Sequence, residues 1–318
     1  MEYKNFDELV EKARSIPRRR GIVAGAEDEH VLEAVFEAKA KGIAFPLLAG
    51  DKTRILSSIE SLGFDAGDCE IVDVPAGENP ARRAVEVIVE GKADFLIKGQ
   101  IDTKDLLKPV VDRKNGLHLD RPDAKGLMSH LAFFQIPGER KLISVTDGGM
   151  VVYPDLEMKK GIIVNAVEIF RKMGYKNPKV AVLCAVEKLN EKMRETVDAH
   201  ELAEANARGE AGAGGLSGCV VVGPISYDVA MRAEIAELKG YKNPHCGDFD
   251  VLVVPNMTAG NLLGKSLTIS AGARMAGIVV GAKIPIVVTS RGSTAEEKFN
   301  SIALCAVTAG AYSGGASQ

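Results

Sequence analysis

Short runs of β-branched and other apolar residues alternate with amphipathic stretches of helical length along this chain. Such alternation builds βα units, whose strands run parallel because each helix carries the chain back across the sheet. Residues 21–26, 45–50, 70–75 and 93–98 read as strands of a first unit. Asp28 reads as the N-cap of a helix reaching about Lys41, and residues 78–90 as a further helix. After Gly99 the rhythm breaks. Residues 120–126 read as a polar connection, and 130–137 with 141–146 as an antiparallel hairpin turning at Pro137-Gly138. The alternation then resumes with a helix ending at Gly174, a strand over 179–185 and a long helix to about Arg208. Strands at 219–222, 250–254 and 284–288 follow, then a helix from about Thr294 to Ala309 and a frayed Gly/Ser tail.

At 318 residues the chain exceeds a usual single core, so two α/β domains with largely parallel sheets are expected. They are assigned to 1–140, completed by a C-terminal helix over 293–318, and to 141–292. A formal net charge of -3 provides no electrostatic ground for binding nucleic acid or an anionic membrane. The five cysteines form no CxxC pair and read as buried thiols in a reducing cytoplasm. The acidic, amphipathic N-terminus does not read as a signal peptide, and no apolar run spans a bilayer. A cytoplasmic protein is expected.

Chemistry concentrates where apolar runs end. Residues 285–288 lead into Thr289-Ser290-Arg291-Gly292, with Glu296 and Glu297 close behind. In α/β sheets ligands bind beyond the carboxyl ends of strands, and Arg grips phosphate or carboxylate bidentately. Lys98-Gly99 with Thr103 close another apolar run, a placement that favours substrate contact. Gly260-Asn261-Leu-Leu-Gly264-Lys265-Ser266 misses the P-loop by one residue, which excludes a nucleoside triphosphatase. It reads either as an anion-binding helix start or as a tight packing turn. Thr146-Asp147-Gly148 reads as a turn or as a strand end facing a ligand, and 211–218 as a flexible loop. No histidine spacing supports a metal site, and His130 by itself reads as structural.

Taken together, Lys98-Gly-Gln-Ile-Asp-Thr103, Thr146-Asp147-Gly148, Gly223-Pro224, Asp228, Gly247-Asp-Phe-Asp250, Ala259-Gly-Asn261, Lys265, Gly281-Ala-Lys-Ile-Pro285 and Ser290-Arg291 occur in an order that resembles the phosphate acetyltransferase/phosphate butyryltransferase family. The form of the first motif, Ser129-His130, and Glu296-Glu-Lys-Phe299 are more similar to the butyryl branch. The resemblance implies reversible transfer of a short acyl group between coenzyme A and inorganic phosphate, without an acyl-enzyme. It also implies an isocitrate/isopropylmalate dehydrogenase-like pair of domains with the active site in the interdomain cleft, and a homodimer or higher homo-oligomer. Coenzyme A is then a substrate, and neither a tightly bound cofactor nor a metal is expected.

The same resemblance assigns roles. Arg291 would hold phosphate and stabilise the carbonyl oxygen as it becomes tetrahedral, Ser290 would donate a hydrogen bond there, and Glu296 or Glu297 would act as the base. Lys98, Gly99, Thr103, His130, Asp147, Asn261 and Lys265 would contact phosphate or coenzyme A. Gly264, where relatives carry an aromatic, would loosen the acyl or pantetheine site. Three other readings stay open: phosphate acetyltransferase, a fold-sharing metal- and nicotinamide-dependent hydroxyacid dehydrogenase, and a non-catalytic ligand-binding relative.

Overall fold

The computed structural model describes residues 2–119, 126–209, 216–290 and 292–309. In chain order its elements are α1 (Phe6–Arg14), β1 (Arg19–Ala24), α2 (Glu29–Ala40), β2 (Ala44–Gly50), α3 (Lys52–Ser61), β3 (Glu70–Asp73), α4 (Pro80–Val89), β4 (Phe95–Lys98) and α5 (Thr103–Val110). The hairpin β5 (Ser129–Gln135) and β6 (Ile143–Thr146) comes next, followed by α6 (Leu156–Lys172), β7 (Lys179–Leu183), α7 (Arg194–Ala207) and β8 (Val220–Ile225). The chain ends with α8 (Tyr227–Met231), α9 (Ala233–Leu238), β9 (Val251–Val253), α10 (Met257–Lys265), β10 (Arg274–Val280), β11 (Ile286–Val287) and α11 (Ala295–Ala309).

Two compact units emerge, both interrupted in sequence. The flanking unit comprises Asn5–Leu119 with Met275–Gln318, and the central unit Met1–Lys4 with Asp120–Arg274. This differs from the boundary expected at 140/141. The hairpin strands hydrogen-bond to each other, Ala132 opposite Val145, so both belong to one core. Besides the expected last helix, β11 also lies in the flanking unit, because it pairs in parallel with β4.

In the flanking unit the strand order is β3-β2-β1-β4-β11-β10. Every neighbouring pair is parallel except β10 with β11. From β1 the chain steps outward through α2 and α3, then returns through α4 to the other side of β1. Right-handed crossovers therefore put α4 on the face opposite α2 and α3. Helix α11 packs on α1 and α2 and over β11 and β4, and every residue from Lys298 to Ala309 is buried. Asp28 caps α2 as expected, its Oδ1 accepting from Val31 N at 2.9 Å.

In the central unit the order is β5-β6-β9-β7-β8, parallel apart from the hairpin. Its N-terminal strand ends are braced by charge. Lys141 and Asp250 are 4% and 2% exposed, and Lys141 Nζ meets Asp250 Oδ1 at 2.5 Å. The other oxygen of Asp250 accepts from Lys179 N at 2.8 Å. Tyr3 explains why the N-terminus belongs here: its carbonyl accepts from Leu142 N and its own N–H donates to the Tyr175 hydroxyl.

Sequence patterning misses α5, whose Thr-Lys-Asp start and Pro109 mask the buried Leu106 and Val110, and β10, whose Gly277 interrupts the apolar run. Cys69 is half-buried, unlike the other four thiols. The connection expected over 120–126 lies outside the described residues except for Gly126, as do most of the loop over 211–218 and the tail beyond Ala309. Replacing Lys141 by Met would leave the Asp250 carboxylate buried without its cation. We expect a loss of about 3 kcal/mol, read from urea unfolding followed by circular dichroism.

Candidate functional site

The order of the flanking sheet reverses between β1 and β4, and there the flanking helices diverge and leave a crevice at the strand carboxyl ends. A cavity of about 510 Å³ occupies this switch point. Asp28 and Val31 at the start of α2 line it, with Lys98 at the end of β4, the following residues through Asp102, Thr289 and Ser290 after β11, and Lys298 from α11.

Gly99 sets how closely these strand ends approach. Its N–H donates to Ala24 O at 3.0 Å, and Gln100 N to Gly25 O at 2.6 Å. A Cβ at Gly99 would lie 2.0 Å from Gly25 O, so only glycine permits the contact. Lys98 is half-buried, its Nζ 3.4 Å from Gly99 O. The exposed Ser290 starts a turn in which Ser293 N donates to Ser290 O at 3.1 Å, and the two hydroxyls lie 3.3 Å apart. Lys298 Nζ donates to Ser293 O at 2.8 Å and fastens this turn to α11. The lining thus sets two ammonium groups and the N-terminal ends of α2 and α5 beside the carboxylates of Asp28, which caps α2, and Asp102, and the ammonium groups are its anion-binding elements.

The other expected members of this set are placed unequally. Arg291 lies outside the described residues. Glu296 and Glu297 occupy the first turn of α11, where its dipole favours acids, and Glu297 N donates to Thr294 Oγ1 at 3.1 Å. Neither glutamate contributes to the cavity wall, nor does the exposed Thr103, which opens α5 directly after the lining residue Asp102.

In the central unit Asp147 organises a second cluster. Its buried carboxylate accepts from His130 N at 2.8 Å and from Gly149 N and Met150 N at 2.8 and 2.7 Å. This holds the Asp147–Gly149 turn against α10, where a Cβ at Gly260 would come 2.7 Å from Gly148 Cα. Asn261 Nδ2 reaches toward Gly148 O at 3.5 Å. The structure thus brings His130, Asp147 and Asn261 around one turn. His130 Nδ1 is buried without a hydrogen-bond partner among the described residues. Burial lowers the imidazole pKa, an effect partly opposed by the Asp147 carboxylate.

The expected helix start at residues 260–266 is corrected. Helix α10 begins at Met257, capped by Asn256 Oδ1 accepting from Ala259 N at 3.0 Å. Gly260 and Gly264 are packing positions inside it, against Gly148 and the Phe134 ring, and a Cβ at Gly264 would meet that ring at 3.3 Å. Asn261 lies in the second turn, and Lys265 is the last α-helical residue before the helical path continues as a π-helical stretch over Ser266–Ser270. Gly264 therefore accommodates Phe134.

Lys298 is the functional candidate that strand-end reasoning overlooks. Its signal is a lysine opening the long buried stretch of α11, where each neighbour is apolar or small and polar.

Gly99→Ala would force a methyl group onto a backbone carbonyl that cannot rotate away. Its expected effect is a loss of about 3 kcal/mol, visible as a lowered melting temperature. For His130 the sign follows from its depressed pKa. Its contribution to stability is complete above the ordinary histidine value of 6.5 and is lost as pH falls toward the folded value. Unfolding free energy measured against pH should therefore fall less steeply below that value in His130→Gln than in the native protein.

Three comparisons bear on this geometry. Residues 75–306 match the family described as phosphate acetyl/butaryl transferase. The chain is 39% identical over 307 residues to a phosphate butyryltransferase of Clostridium acetobutylicum, covering 96% of this chain and 99% of that protein. It is 38% identical over 304 residues to a phosphate acetyltransferase of Thermotoga maritima, covering 96% and 99%. A branched-chain phosphotransacylase from Enterococcus faecalis V583 superposes with a TM-score of 0.79 at 30% identity, over 92% of this chain and 99% of that one. The dehydrogenase alternative gives way to these matches. The chain belongs to the phosphate acetyl/butaryl transferase family, and it is an acyltransferase.

Proposed function

We propose that this acyltransferase moves a short acyl group, butyryl in preference to acetyl, between coenzyme A and inorganic phosphate at the cavity bearing Ser290 and Lys98. The observation that carries this reading is the meeting of the Ser290 strand end with Lys98-Gly99 at one switch point. Toward acyl phosphate, an oxygen of hydrogen phosphate attacks the thioester carbonyl carbon. The new C–O bond forms, the C–S bond breaks, and the phosphate proton ends on the departing thiolate. In reverse, the thiol loses its proton to a carboxylate, sulfur attacks the carbonyl carbon of acyl phosphate, the C–O bond breaks, and the departing phosphate takes that proton from the carboxyl group to leave as hydrogen phosphate.

In this reading the Ser290 hydroxyl donates to the carbonyl oxygen as charge gathers on it. Arg291 and Lys98 hold the phosphoryl group, and Glu296 or Glu297 takes the thiol proton. Thr103, Asn261 and Lys265 are taken as coenzyme A or phosphate contacts. His130 and Asp147 act through the turn they shape, because both Asp147 oxygens already accept backbone N–H groups. Butyryl preference is supported by the Clostridium acetobutylicum match and by a second butyryltransferase match at 38% identity from Clostridium beijerinckii. An acetyl preference is the second reading, favoured by the nearly equal identity to the Thermotoga maritima protein. The functional form is taken to be a cytoplasmic homo-oligomer. Among the described residues no helix is long and apolar enough to cross a membrane.

Thiol release from a panel of acyl-CoAs, acetyl to hexanoyl with branched chains included, tests the proposal. Phosphate should be required, and kcat/KM should peak at butyryl-CoA. A peak at acetyl-CoA overturns the butyryl preference alone, and absence of phosphate-dependent release with every member overturns the transfer reading. Ser290→Ala should lower kcat by roughly a hundredfold or more, the usual effect of removing one donor to a developing oxyanion. Of Glu296→Gln and Glu297→Gln, one should slow thioester formation by about a hundredfold while the other stays near the native rate.

A further inference from the structure

We propose that Lys298 binds the phosphoryl substrate: its buried ammonium is one of the cations that hold inorganic phosphate, and then acyl phosphate, in the switch-point cavity. The inference rests on the reading of that cavity as the phosphate site.

A comparison within the molecule carries it. Among the described residues three lysines are nearly inaccessible: Lys141 at 4%, Lys159 at 3% and Lys298 at 4%. Lys141 pairs with the buried Asp250 at 2.5 Å and Lys159 with the buried Asp198 at 2.8 Å. Both are structural ion pairs whose charge is matched inside the protein. Lys298 differs. Its Nζ donates to the carbonyl of Ser293, and among the described residues no carboxylate forms an ion pair with it.

Removing an ammonium from water costs several kcal/mol unless an opposite charge and hydrogen bonds compensate. An ammonium has three N–H groups, and one carbonyl satisfies one of them. The remaining donors belong to a side chain that lines the 510 Å³ cavity together with Lys98 and Ser290. Asp28 and Asp102 also line this cavity, but among the described residues neither forms an ion pair with Lys298. A doubly charged oxyanion would supply the contacting opposite charge, and several acceptors able to bridge both lysines. The Ser293 contact also sets Lys298 beside the Ser290 turn, so that an anion held by the lysine lies next to the proposed carbonyl-oxygen donor.

The test uses the full-length protein and inorganic phosphate as the probe. Lys298→Gln keeps an N–H donor but removes the charge, Lys298→Met removes both, and Lys298→Arg keeps a cation. Phosphate affinity is measured by titration calorimetry without acyl-CoA. KM values for phosphate and for acyl-CoA are measured separately, and melting in phosphate-free buffer reports folding. Both neutral variants should bind phosphate roughly tenfold more weakly or worse and raise its KM in proportion, the scale of one lost charge-assisted contact. KM for acyl-CoA should stay within about twofold, and Lys298→Arg should recover part of the phosphate affinity.

Native phosphate affinity in a folded Lys298→Gln variant overturns the proposal. A rise in KM for acyl-CoA with that for phosphate unchanged also overturns it, because the lysine would then serve the phosphates of coenzyme A. Should Lys298→Met fail to fold, the Gln and Arg variants decide the matter. If the acyl-CoA panel shows no transfer yet Lys298→Gln loses phosphate binding, the lysine assignment stands and the transfer reading falls.

Discussion

The parallel pairing of β11 with β4 is the contact on which the candidate site depends. It is short, with Ile286 opposite Leu96 and Val287 opposite Ile97, extended by Leu96 N donating to Pro285 O at 3.4 Å. Its consequences are large because it joins the end of the chain to the edge of a switch point laid down by the first half. Once β11 lies beside β4, Thr289 and Ser290 must emerge next to Lys98 and Gly99. The chain then turns into α11, whose buried face closes over β11 and β4. Antiparallel β10 flanks the pair on the other side and keeps this short strand away from an open edge.

Close backbone approach and buried charge then set the chemistry of each cluster. Gly99 in the flanking unit, and Gly148 with Gly260 in the central unit, allow main chains to meet where any side chain would separate them. The protein also separates two uses of a buried lysine. Where the ammonium serves architecture, as with Lys141 and Lys159, a buried aspartate faces it. Where it lines a cavity, as with Lys298, a backbone carbonyl holds it and no carboxylate among the described residues pairs with it. Desolvation makes that difference meaningful, since a lone ammonium inside a protein is expensive in the absence of an anion.

Much of this architecture can be read directly from the residues. Periodicity locates most strands and helices, and the hairpin turning at Pro137-Gly138 is found where expected. Family membership is legible in an ordered set of weak motifs, although each alone has an ordinary structural explanation. The errors share a cause. Helix α10 begins before its glycines because Asn256 supplies the cap, and Gly260 and Gly264 are there for neighbours contributed by other segments. Domain boundaries are misjudged because strand pairing, which decides which core a segment joins, leaves no local signature.

What the sequence by itself determined is therefore the alternation of elements, the strand ends that carry Lys98 and Ser290, and the family. Local periodicity, turn chemistry and motif order are properties of neighbouring residues. Tertiary structure alone decided that β11 joins β4, that Lys98, Ser290 and Lys298 share one cavity while Glu296 and Glu297 stay off its wall, and that among the described residues no carboxylate pairs with Lys298. Those outcomes depend on distances between segments far apart in the chain, which packing sets and no local pattern encodes.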